Sequence, residues 1–159
     1  MPTLTQGNVF DAAQRTPLAV VFGYTGFNLM SMYWREFAQR THKLSNLANP
    51  FRDRPRQPIE WAEGRWLWMV PCTAADGLTD AEHEQALGEA VAWALQNGIG
   101  SIVTNGAPDT SSDVKSQSER AVWLIAYASN LEKSQGIEVE LISLSDVYIA
   151  RASTTPARP

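Results

Sequence analysis

The sequence predicts an α/β domain, a three-layer α/β/α sandwich around a mostly parallel central sheet. Three observations predict it. Short β-branched runs alternate with longer stretches of helical period, the order that successive β-α units produce. "PLAVVFG" (Pro17–Gly23) is continuously apolar, as a strand covered on both faces must be. "ALGEAVAWALQNGIGSIVT" passes from an apolar stripe through glycine into another β-branched run, a helix-to-strand step.

Each element can be justified in order. "TLTQGNVF" (Thr3–Phe10) reads as a strand ending at Gly7-Asn8. After Pro17–Gly23 a helix carries Met30, Tyr33, Trp34 and Phe37 at helical spacing. Lys43–Gly64, with "NPFRDRPRQP" inside it, has no periodicity and reads as a long irregular loop. "RWLWMVP" places Trp66, Trp68 and Val70 on one face of a strand. Thr79 and Glu82 form a capping box, opening a helix whose apolar stripe is Leu87, Ala90, Val91, Ala94 and Leu95. Gly98 ends that helix in the left-handed position, and "SIVT" is a short buried strand. Ser116 and Glu119 form a second capping box, before a helix with Ala121, Leu124, Ile125 and Ala128 inward. "GIEVELISL" closes the sheet, and residues 151–159 read as a flexible C-terminal tail. Residues 1–150 therefore form a single domain, with no internal repeat.

Composition narrows the function classes. With 159 residues, 44% hydrophobic and 19% charged, the chain has enough apolar side chains for a core without disulfide or metal staples. A net charge of -4 argues against non-specific nucleic-acid binding, which needs a basic surface to displace counterions. No apolar run reaches the roughly 18 residues of a membrane span, and Met1–Asp11 lacks a signal-peptide pattern. The single cysteine, Cys72, allows neither an internal disulfide nor a cysteine-based metal site. These readings imply no membrane partner, no metal, no cofactor and a cytoplasmic location.

Chemistry in such a fold gathers where strands end and helices begin. Gly23, Tyr24, Thr25, Gly26, Asn28 and Ser31 occupy one such junction. Its glycines allow close backbone approach, and its hydroxyls and amide suit a phosphate or sugar. It is neither GxGxxG nor a Walker sequence and has no lysine, so a tight turn needing glycine for geometry is the competing account. "TNGAPDTSSDVKSQ" is the most polar loop: Asn105 and Gly106 turn sharply, and Thr110, Ser111 and Ser112 present hydroxyls beside a helix start. Asp109 and Asp113 would repel an anion at close range but could accept from ribose hydroxyls or exocyclic amines. Ordinary turn formers account for the same residues. A nucleophile pair of Cys72 with His83 would need the histidine to fold back from the first turn of its helix; a small buried cysteine is the plainer reading. His42 and His83 are too scattered for a metal site. Trp61, Trp66, Trp68, Trp93 and Trp123 pack in the core or form a platform for a base. Trp93 and Trp123 fall beside the main stripes, which suggests a subunit contact or a covering loop.

The order of elements is similar to that of macro domains. "LTQGNVFDAAQRTPLAVVF" resembles their opening, where a glycine-polar pair precedes a short helix and a strand. "GYTGFNLMSMYWREFAQRTH" occupies the place of the first binding loop and helix, and "ALGEAVAWALQNGIGSIVTNGAP" resembles the step into the second loop. "ERAVWLIAYASNLEKSQGIEVELISLSDVYIA" looks like the closing helix and strand, with Asp146 and Tyr148 near its end. The resemblance implies binding of ADP-ribose or a related nucleotide, with Asn8 and Val9 near the adenine. It also implies that Tyr24–Ser31 and Asn105–Ser112 flank the diphosphate and distal ribose. Where the family has asparagines after the strand, this chain has Phe22 and Tyr24-Thr25, and its first loop reads Phe27-Asn28-Leu29-Met30 in place of glycines. Bulky side chains crowd the backbone N–H groups that cradle phosphate, so the expectation is binding with weak or no ADP-ribosyl hydrolysis. The alternative is a non-catalytic module that forms a homo-oligomer or meets a protein partner through exposed tryptophan.

Overall fold

The computed structural model describes residues 2–24, 30–41, 44, 47, 49–72, 80–106 and 114–143. Strand β1 (Thr3–Gln6) leads through a one-turn helix, α1 (Val9–Ala12), into β2 (Leu18–Tyr24). Helices α2 (Met30–Gln39) and α3 (Pro50–Asp53) precede the hairpin of β3 (Pro58–Ala62) and β4 (Arg65–Cys72). Helix α4 (Asp80–Gln96) leads to β5 (Ser101–Thr104), and α5 (Val114–Gln135) leads to β6 (Glu138–Ser143). The strands form one six-stranded sheet in the order β1-β6-β5-β2-β4-β3. Every neighbouring pair is parallel except β3 with β4. The protein is thus an α/β chain with a mixed, mostly parallel sheet.

β2 lies near the middle of the sheet, and every side chain from Leu18 to Phe22 is buried. Its pleat divides the core in two. Leu18, Val20 and Phe22 join Trp68, Val70 and Cys72 of β4, together with Leu87, Ala90, Val91 and Ala94 of α4 and Leu124, Ile125 and Ala128 of α5. Ala19 and Val21 join Leu67 and Met69, together with Val9 and Phe10 of α1, Trp34 and Phe37 of α2 and Phe51 of α3. The register explains the division, since Phe22 pairs with Val70 and Val21 with Met69.

The end of α4 follows the predicted pattern. Gly98 has φ +71, Ile99 N donates to Ala94 O at 2.8 Å and Gly98 N to Leu95 O at 3.3 Å, the paired bonds of a Schellman cap. Leu95 departs from the predicted stripe and is 39% exposed.

Two other expectations are corrected. The segment 43–64 is not a long irregular loop, since it holds α3 and β3. Asn49 caps α3, its Oδ1 accepting from Arg52 N, and Pro50 starts it, a favourable opening for even one turn. Glu63-Gly64 then makes a two-residue hairpin, with Gly64 at φ +72, so the alternation of Ile59 and Glu60 belongs to an edge strand. Ser116 does not cap α5, because the helix begins at Val114 and Ser116 lies within it. The last strand, β6, forms as expected and lies between β5 and β1, which leaves β1 and β3 at the edges. Thr79 of the first capping box and the tail 151–159 lie outside the described residues.

Candidate functional site at the carboxyl edge of the sheet

Because β1, β6, β5, β2 and β4 run the same way, their carboxyl ends share one edge of the sheet. That edge collects Asn8 and Val9 after β1, Gly23 and Tyr24 at the end of β2, and Asn105 and Gly106 after β5. Gly7 N donates to Ser143 O at 2.8 Å, carrying the β1–β6 pairing one step beyond the strand. Ser31 falls in α2. Thr25, Gly26, Asn28, Thr110, Ser111 and Ser112 lie outside the described residues.

Asn105 holds two of these ends together. The β2–β5 ladder stops at Val20 opposite Thr104, and Gly106 turns the chain away with φ +66. Phe22 lies beyond that last rung. The Asn105 side chain meets it on both sides: Oδ1 accepts from Phe22 N at 2.8 Å and Nδ2 donates to Phe22 O at 2.9 Å. The turn is closed by Gly106 N donating to Thr104 Oγ1 at 3.2 Å, and the Thr104 side chain is buried for that purpose.

The two glycines of the edge have packing reasons. A Cβ on Gly23 would sit 2.3 Å from Phe51 Cζ, so the ring of α3 needs a bare backbone at the end of β2. A Cβ on Gly106 would sit 2.3 Å from Leu124 Cδ2. Asn8 has a local duty as well: it caps α1, its Oδ1 accepting from Phe10 N at 2.9 Å. Val9 is buried in the core beside it. Each of these residues therefore has a structural task, while Asn8 and Asn105 each keep a donor or acceptor position beyond it.

Cys72 and His83 both end up buried. The Cys72 thiol points back toward Val70 O at 3.9 Å, a weak contact typical of a small core side chain. The His83 ring packs between Phe22 and Trp123, with centroids 4.3 and 4.9 Å away. Among the described residues no group of three histidine, cysteine or acidic side chains could hold a metal ion. No described helix is long and apolar enough to cross a membrane.

The tryptophans pack in or against the core, the first of the uses expected of them. All six tryptophans are described and none is exposed. Trp93 packs on Trp66 and Trp68 at 5.1 and 5.9 Å, and Trp123 stacks on Tyr127 at 5.7 Å. These rings bury part of one another's faces, leaving Trp66, Trp93 and Trp123 half-buried beside the helix stripes.

One ion pair lies away from this edge, with Glu140 opposite Thr3 at the start of β1 and Arg15 ahead of β2. Arg15 donates through both terminal nitrogens to the Glu140 carboxylate. That hydrogen bonding holds the Glu140 carboxyl below the usual carboxylate range; partial burial opposes the shift, and Thr5 and the charge of Arg15 add to it. The pair ties the segment after α1 to β6.

Sequence reading missed Phe51 as a wall of this edge. A signal was available: Asn49-Pro50 is a helix start by residue type alone. No protein-family model matches this chain, and no curated protein matches it.

Proposed function

We propose that the chain is a divergent, macro-like α/β/α domain in three layers that binds an ADP-ribose-like nucleotide at the carboxyl edge of its sheet, with weak or no hydrolysis. The observation that carries this reading is the union of β2 and β5 through Asn105 and Phe22. The two segments expected to flank a diphosphate leave adjacent parallel strands, at the edge where α/β sheets hold ligands. The layer assignment draws its support from the two core clusters, each with its own helices. The expectation of weak or absent catalysis is supported by the described part of the edge, where amides and glycines serve the protein's own packing and Cys72 and His83 are buried. The interaction-module alternative draws less support, because the tryptophans are at most half-exposed.

Calorimetry and thermal shift with ADP-ribose, AMP and ribose 5-phosphate test the reading. ADP-ribose at 100 times its Kd adds about 2.7 kcal/mol, a rise of roughly 5–11 °C for a domain of this size. No heat and no shift with ADP-ribose at high micromolar protein refutes it.

A further inference from the structure

We propose that Asn105 is a positioning residue of this site: its amide acts as an extra rung of the sheet and sets how far the β2 exit stands from the β5 exit. The inference rests on the nucleotide reading above and assigns Asn105 a role that needs no contact with ligand.

The argument is one of unmet backbone groups. In a parallel sheet the N–H and C=O of one residue point toward the same neighbour, and the next residue's point the other way. Phe22 turns both of its groups toward β5, where the backbone ladder has already ended at Thr104. Left alone, a buried N–H and C=O would each be costly. Asn105 supplies an acceptor to one and a donor to the other.

Few side chains could do so. Leucine has the shape without the polar atoms, aspartate offers acceptors only and would face the Phe22 carbonyl, and glutamine is one methylene too long. Immediately past the rung come Gly23, against the Phe51 ring, and Gly106, against Leu124. The rung therefore sits between two packed exits, and removing it frees them to shift relative to each other.

The test compares Asn105→Leu with Leu131→Ala. Leu131 is buried on α5 next to Glu132, which accepts from Val139 N at the start of β6, so the control destabilises the opposite end of the strands. Amide exchange at Phe22 and ADP-ribose affinity are measured on both. The expectation for Asn105→Leu is faster exchange at Phe22 and about tenfold weaker binding, with Leu131→Ala within about twofold of wild type. Asn105→Ser, which can keep one of the two bonds, falls between and serves if the leucine variant does not fold.

Unchanged exchange at Phe22 overturns the rung. Faster exchange with unchanged affinity, or an equal loss in Leu131→Ala, overturns the positioning role. A wild-type chain that binds no ADP-ribose overturns the nucleotide reading itself and the positioning role with it, whatever Phe22 does.

Discussion

Alanine at Gly23 should destabilise the fold through a single contact. Its Cβ would lie 2.3, 2.7 and 2.9 Å from Phe51 Cζ, Cε2 and Cε1. Carbon atoms settle at about 3.5–4.0 Å, so the ring tip must retreat by about 1.2 Å or more. Phe51 is wholly buried and has no solvent to move into. Overpacking of a closed core costs about 1–3 kcal/mol, and contact with three ring atoms puts this case near the upper end. A loss of about 3 kcal/mol lowers the melting temperature by roughly 6–12 °C. Urea melts of Gly23→Ala, Phe51→Leu and the double variant form the assay. If the ring is the cause, the double variant is little worse than Phe51→Leu alone, with a coupling of at least about 1 kcal/mol. Gly23→Ala within about 0.5 kcal/mol of wild type, or strict additivity, would refute the reasoning and return Gly23 to a ligand role.

Further expectations concern the glycines, the cap and the ion pair. Gly98→Ala and Gly106→Ala both place a side chain at positive φ, but only Gly106 also meets Leu124. Gly98→Ala should therefore cost about 1 kcal/mol, and Gly106→Ala clearly more, in paired thermal melts. Asn8→Ala should lose about 1 kcal/mol while Asn8→Asp keeps the cap; equal melts for the two variants would remove the capping role. The Arg15–Glu140 pair is half-exposed on the arginine side and contributes at most about 1 kcal/mol. Because the folded Glu140 carboxyl titrates below its unfolded value, that contribution is present above the unfolded pKa and is lost as pH falls through the folded one. Arg15→Met should thus lower stability near neutral pH and make little difference in acid; a deficit that persists unchanged at low pH contradicts the assignment.

Much of the architecture was legible because burial wrote it plainly. Leu18–Phe22 has no polar residue, so only a strand covered on both faces fits it. The stripes of α4 and α5 are long enough for their period to show. The hairpin edge was harder to see. β3 has five residues, begins with proline and has a register shift between Glu60 and Ala62, so its alternation is too short to stand out from an arginine-rich stretch. At the site, residue type fixed the place but not the purpose. Asn105-Gly106 was readable as a turn, whereas the partner of its amide, Phe22, lies 83 residues earlier and no local pattern points to it. Gly23 likewise gave no hint of the ring from α3 that rests on it.

The irregular β3 has a consequence for behaviour at high concentration. A sheet flank that is straight and presents an unbroken row of unpaired N–H and C=O groups invites a neighbouring molecule to add its own strand, and fibres grow that way. Here the flank starts with a residue lacking an N–H, carries the exposed charge of Glu60 and is bent by its bulge. Replacing Pro58 and Glu60 with threonine and valine would remove the first two of those obstacles and bring the flank closer to a template on which copies of the chain could stack.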